Sequence, residues 1–533
     1  MKKMLIIAGL LFTAKLFAQE VPDYAETRPR AQIRDQLTVV FSTDNVELDV
    51  RKSFLASEAQ IFTALYEGLY TYQPVTMSPV RALAQRSDLS RDKKVWTFTL
   101  REDAKYWNGD PVQAEDFRSA WLSLLDPSRN SPYSSLFDII EGAREFRTGQ
   151  LKDPSKVGIS ADGKILTVRL VSPAAFFPSM LCHHSFSPIH PSMLNNPDWS
   201  RQSPLSNGPF YIREQTEDTF VLVKNPYYWD LANVALNTLM FKFTDDAMLS
   251  SAMWNTGEAR WIAGDVAIDA LTDRSGITVN TLFATYYYFI RSAAPPWNDY
   301  RVRRALALAV PWKEIRSIYM QPAKTLIYPF SGYPSINGLD TTDSEEATRL
   351  LAEAGFPQGF GLPELVIKIT PSQDAQRIVG LMVSEWAELG VPVRVTVIPY
   401  NQYFDSLKKD DYTIGATSWI GDFADPYTFL QMWRHDSNLN DAKHNDSDYE
   451  TLLEQSMVLE GEQRLKVLSE AEQLLLDRGS VLPIYHNPAL NIIDTSELDG
   501  WFPNVLDIHP FKYINFKKLK PLPGVVLFQN NVR

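Results

Sequence analysis

One stretch of the chain combines carboxylates and aromatic rings in the way that ligand-binding sites do. Residues 416–433, ATSWIGDFADPYTFLQMW, place two Trp, two Phe and one Tyr around two Asp and one Gly. A β run ends at Trp419 and the backbone turns at residues 420–421, so Asp422 lies where an extended strand meets a loop. A carboxylate in that place can meet a cation in a cleft. It can equally cap a surface turn, because Asp next to Gly or Pro is common in turns.

A second stretch, CHHSFSPIH, has residue types that bind metals. Its candidate ligands are Cys182, His183, His184 and His190. They do not follow a zinc-ligand spacing and no carboxylate is close in sequence, so we expect an irregular loop instead. The chain also lacks a phosphate-binding loop, a nucleophile elbow and a zinc-protease helix motif. We therefore predict no cofactor, no metal and no catalytic residue.

Length and charge narrow the classes of function. A chain of 533 residues exceeds the usual limit of one hydrophobic core, so two or three domains are expected. The net charge of −12 argues against a nucleic-acid partner, which requires clustered Lys and Arg. Thirteen Trp and twenty-three Tyr suit a ligand cavity, because these rings join an apolar body to a polar group.

The N-terminus has the features of a secretory signal peptide. Residues 1–18, MKKMLIIAGLLFTAKLFA, carry two Lys, an apolar run too short to span a bilayer and a small residue at the expected cleavage point. No Cys is near that point to take a lipid anchor. Cys182 is the single Cys of the sequence, so no intrachain disulfide is possible. We expect an exported, soluble protein.

The elements that must position these residues follow from hydrophobic periodicity. Alternating patterns predict strands at 36–41, 95–100 and 285–290 and a hairpin within 159–170. Helical spacing predicts helices at 57–69, at 114–125 behind Asp110, and after Asp299. Arg301, Arg303 and Arg304 are expected on the solvated face of the helix after Asp299.

The C-terminal half alternates between helices and strands. Its predicted helices are 344–354, 374–389, 403–407, 447–457 and 461–476, and its predicted strands are 364–369, 393–398, 412–419 and 481–485. This βαβ alternation predicts a mixed α/β chain in which helices cover the faces of a sheet.

At this point the sequence resembles the large solute-binding proteins of bacterial oligopeptide and dipeptide ABC importers, the class-C or family 5 solute-binding proteins. The blocks that carry the resemblance are ALYEGLY, VWTFTLREDAKYWNGDPVQAEDF, LDPSRNSPYSS, NGPFYI, LVKNPYYWD, TYYYFI, WNDYRVRRALALAV, LLAEAGF, LGVPV and the stretch 416–433. They occur in the family's order from about residue 36 to 516. The relatives bind peptides, nickel complexes, haem, sugars or antibiotics, so the blocks specify the fold more closely than the ligand.

The resemblance implies a two-lobed periplasmic binding protein with an additional third domain and a hinge. The first lobe would comprise residues 24–71, 190–285 and 491–533. The extra domain would be 72–189 and the second lobe 286–490. A ligand would lie between the lobes and favour their closed state.

The resemblance also implies which residues contact a peptide. Asp422 falls on the family's Asp that pairs with a peptide's α-ammonium group. Short β segments at Leu55 and Ala56 and at Thr417, Ser418 and Trp419 would bond to the peptide backbone. Trp419 and Tyr133 match pocket aromatics and can also be packed core rings. Tyr485 and His486 lie close to another family pocket aromatic.

The sequence departs from its oligopeptide-binding relatives at two positions. Ala416 and Ala375 stand where relatives carry an Arg and a His that meet the peptide C-terminus. Either other cations meet it, with Lys408, Lys409, Arg377 and Arg291 as candidates, or the ligand is not a short peptide with free ends.

The expected function is that of a monomeric periplasmic receptor that binds peptides and delivers them to an inner-membrane ABC permease, without catalysis. A receptor for a non-peptide solute, such as a sugar or metal chelate, is the alternative. A secreted hydrolase is a more remote alternative.

Overall fold

The computed structural model describes residues 34–43, 46–196, 203–330 and 332–518. The signal peptide expected at residues 1–18 lies outside these residues. The strands are β1 Gln36–Phe41, β2 Tyr70–Tyr72, β3 Pro79–Arg81, β4 Ala84–Leu89, β5 Val95–Leu100, β6 Ile159–Asp162, β7 Ile165–Arg169, β8 Phe210–Gln215, β9 Thr219–Lys224, β10 Thr238–Phe243, β11 Trp261–Ala263, β12 Ile277–Ile290, β13 Leu365–Ile369, β14 Val393–Val397, β15 Ile414–Ile420, β16 Val481–Ile493, β17 Leu498–Asp499 and β18 Asn515–Phe516. The helices are α1 Ala56–Leu65, α2 Ala114–Leu125, α3 Ala143–Arg147, α4 Phe177–Met180, α5 Ala247–Asn255, α6 Tyr300–Leu308, α7 Trp312–Arg316, α8 Ser344–Glu353, α9 Gln373–Glu388, α10 Tyr400–Leu407, α11 Tyr427–Leu430, α12 Ser447–Ser456 and α13 Gly461–Asp477.

A ten-stranded sheet runs through the molecule in the order β14-β13-β15-β12-β16-β11-β1-β10-β9-β8. On one side, β1 pairs in parallel with β10 and β11, β9 pairs antiparallel with β10, and β8 pairs antiparallel with β9. On the other side, β13, α9 and β14 form a βαβ unit with parallel strands. The mixed α/β class predicted from the alternation of elements is confirmed.

Two long strands, β12 and β16, join the halves of this sheet. They pair antiparallel on both sides of a register shift between Thr281 and Thr285. Within the shift, Phe283 donates its backbone N–H to the carbonyl of Val505 and accepts the N–H of Gly421 on its own carbonyl, each at 2.8 Å. The ladder between β12 and β16 is therefore interrupted where the two halves meet.

A separate four-stranded antiparallel sheet, β4-β5-β7-β6, forms a smaller unit together with α2. Helix α2 packs against β6 and β7. Its Trp121 is fully buried and donates its indole N–H to the carbonyl of Phe186 at 3.0 Å. Phe98 of β5 and Leu166 of β7 are also fully buried, so this unit has its own apolar centre.

A polar interface joins residues 135–147 to residues 431–454. Arg147 forms two 2.6 Å hydrogen bonds with the Asp138 carboxylate and lies 3.1 Å from Asp436. Ser135 donates its hydroxyl to the side-chain carbonyl of Gln431 at 2.5 Å. Because Arg147 and Asp138 are both buried, each charge depends on the other for its solvation.

Several element boundaries differ from the predicted ones for physical reasons. Helix α2 is capped at Gln113, whose N–H is accepted by the Asp116 carboxylate at 2.9 Å, so the prediction of Asp110 as its start signal is wrong. Arg303 is not on a solvated face. It is 4% exposed and donates to the carbonyl of Trp297 at 2.7 Å.

Helix α1 ends at Leu65, four residues before the predicted end. The side chain of Asn207 accepts the N–H of Glu67 at 3.3 Å and donates to its carbonyl at 2.8 Å. These bonds hold the chain extended after α1. Strand β16 continues beyond residue 485 to Ile493, because it pairs with both β12 and β11.

Candidate functional site

A cavity of about 210 Å³, here called the first cavity, lies between α1, the loop 182–187 and the end of β15. Seven of the nine predicted ligand-binding residues line it. They are Asp422, Trp419, Ser418, Thr417, Tyr133, Leu55 and Ala56. These residues come from three distant parts of the chain, so the fold brings together most of the site expected from the resemblance.

The Asp422 carboxyl group is buried in the wall of the first cavity. Its side chain is 6% exposed, and the hydroxyl of Thr428 donates to Oδ2 at 2.8 Å. Thr428 also accepts the backbone N–H of Asp422 at 2.9 Å, which fixes the carboxyl group relative to α11. Burial raises the pKa of Asp422 from its usual 3.8 to about 7, although hydrogen bonds from Thr428 and Tyr133 act in the opposite direction.

Among the described residues, His183 is the basic side chain that lies against this carboxyl group. Its Nε2 lies 3.6 Å from Asp422 Oδ1. Burial lowers the pKa of His183 to about 3, so the ring is neutral. Its Nδ1 lies 2.8 Å from the Ser185 hydroxyl and 3.4 Å from the Ser185 backbone N–H, and these contacts hold the ring in place. The contact is thus a neutral imidazole beside a carboxyl group and not an ion pair.

The free edge of β15 presents backbone groups next to Asp422. The N–H of Gly421 points to β12, and both backbone groups of Ala416 bond to the Tyr403 hydroxyl on the opposite side, each at 2.9 Å. Because backbone groups alternate along a strand, those of Ser418 point away from β12, as those of Ala416 do. β13 pairs with β15 at Ile414. An extended ligand can therefore pair with β15 at Ser418.

A family model for the bacterial extracellular solute-binding proteins, family 5, matches residues 78–441, which is more than half of the chain. The chain belongs to this family. The resemblance of the sequence blocks to family 5 is thereby confirmed.

This solute-binding protein has relatives with different named ligands. It is 27% identical over 512 residues to the periplasmic oligopeptide-binding protein OppA of Salmonella typhimurium, covering 91% of this chain and 93% of the relative. It is 26% identical over 546 residues to the probable deoxycholate-binding periplasmic protein YgiS of Escherichia coli, covering 97% and 98%.

Among solved structures, the fold matches that of the Escherichia coli murein tripeptide binding protein MppA. The TM-score is 0.82 at 25% identity, over 92% of this chain and 99% of that one. This agreement over nearly the full length of both chains confirms the two-lobed binding-protein fold.

The rings of Trp419 and Tyr133 pack in the protein interior and also line the first cavity. They are 8% and 4% exposed, their ring centroids are 6.4 Å apart, and both line the first cavity of this solute-binding protein. The two interpretations left open by the sequence therefore describe the same side chains.

Leu55 and Ala56 line the cavity, but only Leu55 has the extended conformation expected of a β segment. Leu55 is extended and caps α1, whereas Ala56 is the first residue of the helix. The buried Glu58 carboxylate accepts the N–H groups of Phe54 and Leu55 at 3.0 Å. Leu55 is thus extended as expected, but its N–H is already accepted by Glu58. Backbone pairing of this segment with a ligand stays a prediction.

Tyr485 and His486 lie on β16, outside the residues that line the first cavity. Tyr485 stacks between Tyr286 and Tyr319, at centroid distances of 5.1 and 4.3 Å. His486 shares a 2.9 Å hydrogen bond with Thr285. Their contact with a ligand stays a prediction.

The cations considered for a peptide C-terminus mostly have internal partners. Arg291 pairs with Asp410, and Arg377 pairs with Asp374 at 3.4 Å. Lys408 pairs with Asp441 at 2.8 Å. Lys409 is exposed on the surface.

The loop 182–187 is the part of the site that sequence reasoning missed. The run CHHSFSPIH folds, as predicted, without regular strands or long helices, yet Cys182, His183 and His184 line the first cavity. His184 shares a 2.8 Å hydrogen bond with Ser53, which joins this loop to the segment before α1. Two adjacent His in an apolar loop were the only available signal.

The described residues were also considered as a metal site and as a membrane-spanning segment. No group of three or more His, Cys, Asp and Glu side chains in that part of the chain is placed to hold a metal ion. No helix within the described ranges has the length and apolar character needed to cross a membrane.

Proposed function

We propose that this solute-binding protein captures peptides between its two lobes in the periplasm and delivers them unchanged to an inner-membrane ABC permease. The observation that carries the proposal is the buried Asp422 carboxyl group in the wall of the first cavity. Among the described residues, no Lys or Arg is paired with it. Relatives named for oligopeptides and for a murein tripeptide support the same substrate class.

A peptide's α-ammonium group supplies what this carboxyl group lacks. Ionising an isolated buried carboxyl group is costly, which is why burial raises the pKa of Asp422. A cation in hydrogen-bond contact would reverse that effect, and the resulting ion pair would be shielded from water. The site therefore favours ligands with a primary ammonium group over neutral ligands of the same shape.

The backbone of β15 supplies contacts that do not depend on side-chain identity. Its free edge at Ser418 offers one N–H donor and one C=O acceptor to an extended chain. A receptor that uses such groups tolerates varied peptide sequences. Side-chain selectivity would then come from the aromatic walls around the ligand.

The same proposal divides the chain into two lobes and an extra domain. Residues 24–71, 190–285 and 491–533 form one lobe, 72–189 the extra domain and 286–490 the second lobe. The protein works as a monomer and carries out no catalysis. Residues 1–18 direct its export and are then removed by cleavage.

A non-peptide solute is the second candidate, favoured by one relative and by the aromatic walls. YgiS is named for deoxycholate and matches nearly the whole chain. Phe54, Phe62, Tyr66 and Phe404 give the first cavity apolar surface that suits an apolar solute. A carboxylate-bearing sterol, however, would bring a second anion towards Asp422.

Mass spectrometry of ligands released by denaturing the purified protein separates these candidates. We expect a mixture of peptides with unmodified N-termini. Recovery of sterols, sugars or metal chelates without peptides would contradict the proposal.

A matched pair of variants tests the role of Asp422. Asp422→Ala should weaken binding of a free-amino tetrapeptide by about 10- to 100-fold, because it removes a charge-assisted hydrogen bond. The N-acetylated form of the same peptide should bind both proteins equally weakly in isothermal titration calorimetry. Asp405→Ala, which removes an exposed carboxylate of α10 outside the first cavity, is the control and should change neither affinity. Equal losses for both peptides would show that Asp422 does not bind the ammonium group.

A further inference from the structure

A larger cavity of about 610 Å³, here called the second cavity, adjoins the first. Phe54, Phe404, Thr417 and Trp419 line both. The rings of Phe54 and Phe404 meet edge to face at 5.6 Å, so an aromatic contact marks the passage between the cavities. Asp422 lines the first cavity alone, which places it beyond this passage.

The net charge of the side chains that line the second cavity is positive, opposite in sign to the Asp422 carboxylate. Its charged or titratable wall residues are Lys52, Lys408, His435, Asp436, Asp441 and Lys443. Asp441 pairs with Lys408 at 2.8 Å and Asp436 pairs with Arg144 at 2.9 Å, while His435 contacts Glu450 at 2.9 Å.

Two cations remain after these pairs are formed. Among the described residues, neither Lys52 nor Lys443 has a side-chain ion pair or hydrogen bond. Lys443 acts on Asp410 through space, but that carboxylate is already paired with Arg291. Lys52 lies just before the segment that leads into α1, and Lys443 lies in the segment before α12. The two lysines thus line the cavity from the two halves of the molecule.

The geometry of β15 sets how long a ligand must be to reach these lysines. Thr417, which lines both cavities, precedes Asp422 by five residues along the strand and the turn after it. A strand rises by about 3.3 Å per residue, so this separation is at most about 16 Å. The turn at residues 420–421 shortens this distance, so an extended peptide of about four residues, at most about 14 Å long, approaches it. A dipeptide, at most about 7 Å long, spans less than half of the upper limit.

We propose that the second cavity is a carboxylate-binding subsite, in which Lys52 and Lys443 receive the C-terminus of a peptide whose ammonium group lies at Asp422. This inference rests on the proposed function. It explains how the chain can bind a peptide C-terminus with Ala416 and Ala375 at the positions of the relatives' cations. It also defines a substrate class, namely peptides of about four or more residues with both ends free.

The test compares peptides with a free carboxylate and with a C-terminal amide. The probes are dialanine, tetraalanine and pentaalanine in both forms, measured by isothermal titration calorimetry on the full-length mature protein. The wild-type protein should bind free tetraalanine and pentaalanine about 5- to 30-fold more tightly than their amides, because a partly solvated charge pair is lost on amidation. Dialanine should show no such preference.

Variants then assign the preference to the lysines. The double variant Lys52→Ala/Lys443→Ala should bind acid and amide forms equally, with the affinity of the wild-type protein for the amides. Lys409→Ala, an exposed Lys outside the second cavity, should retain the wild-type preference.

The outcomes separate the inference from the proposed function. If the peptides bind and depend on a free amino group, but amidation has no effect or acts equally on dialanine, the subsite is refuted and the peptide receptor stands. A preference that survives in the double variant also refutes it. If no peptide of either form binds, both proposals fail.

Discussion

Replacing Asp422 by Asn should make the ligand-free protein more stable at pH 8 while it weakens peptide binding. The reason is the buried carboxyl group, whose pKa burial raises to about 7. In the unfolded chain the pKa of an Asp is about 3.9. Between these two values the native state holds a proton that the unfolded state has released. Raising the pH through this window therefore lowers the stability of the native wild-type protein, and the Asn variant escapes this loss.

The structure sets the size of the effect. One pKa unit corresponds to about 1.36 kcal/mol, so a shift from 3.8 to about 7 corresponds to an upper limit of about 4 kcal/mol above pH 7. The side chain is 6% exposed, so solvent screening reduces this value little. The Asn carbonyl can still accept the hydroxyl of Thr428. We therefore expect a gain of about 2–4 kcal/mol at pH 8 and little difference at pH 4.

Urea unfolding of ligand-free protein at pH 4, 6 and 8 measures this difference. Tryptophan fluorescence and far-UV circular dichroism should give coincident transitions, because a multi-domain protein can unfold in more than one step. Asp405→Asn, at an exposed position on α10, is the control and should follow the wild-type pH dependence.

Two outcomes would refute the reasoning. A stability difference between wild type and Asp422→Asn that is the same at pH 4 and pH 8 would mean that Asp422 titrates normally in the native state. A variant that is less stable than wild type at pH 8 would mean that the carboxylate is a stabilising anion already satisfied by its neighbours.

Two further predictions concern the scaffold. Arg147→Ala should lower the free energy of unfolding by up to about 3–5 kcal/mol, because the buried Asp138 loses two 2.6 Å hydrogen bonds and keeps Arg434 at the longer distance of 3.7 Å; a loss below about 1 kcal/mol in urea unfolding would contradict this. Gly500→Ala should destabilise the protein more than Gly355→Ala in the same assay. Both Gly have positive φ, at 82° and 94°, which costs an Ala about 1–2 kcal/mol, but a Cβ at Gly500 would collide with the Tyr513 carbonyl whereas one at Gly355 has nothing within 4 Å. Equal losses of stability in the two variants would show that the structure relaxes to relieve the collision at Gly500.

Local pattern was enough to predict the elements that carry Asp422. The alternation of the β run and the turn at residues 420–421 depend on neighbouring residues, so the strand end and the loop after it follow from the sequence. The contact between Asp422 and His183 could not be predicted from the sequence. These residues are far apart in sequence, and the resemblance blocks do not include the His pair. Such a contact depends on packing between units that local periodicity cannot describe.

Arg303 and Leu55 show two other limits of local pattern. Three arginines on a short helix indicate a solvated face, yet Arg303 is buried because the carbonyl of Trp297 accepts its guanidinium N–H. At Leu55 the resemblance implied a short extended segment with Ala56, but only Leu55 is extended, because Ala56 begins a helix whose first turn is capped by Glu58. In both cases contacts outside the local pattern decided the outcome.

The interruption between Thr281 and Thr285 has a mechanical consequence for the sheet. A continuous ladder between strands of 14 and 13 residues would resist bending, since curvature would strain every rung along it. Two register shifts, between Thr281 and Thr285 and between Tyr286 and Tyr287, divide this ladder into shorter runs of regular pairing. A bend between the two halves of the sheet would disturb the pairing at these two places and leave the regular runs unchanged.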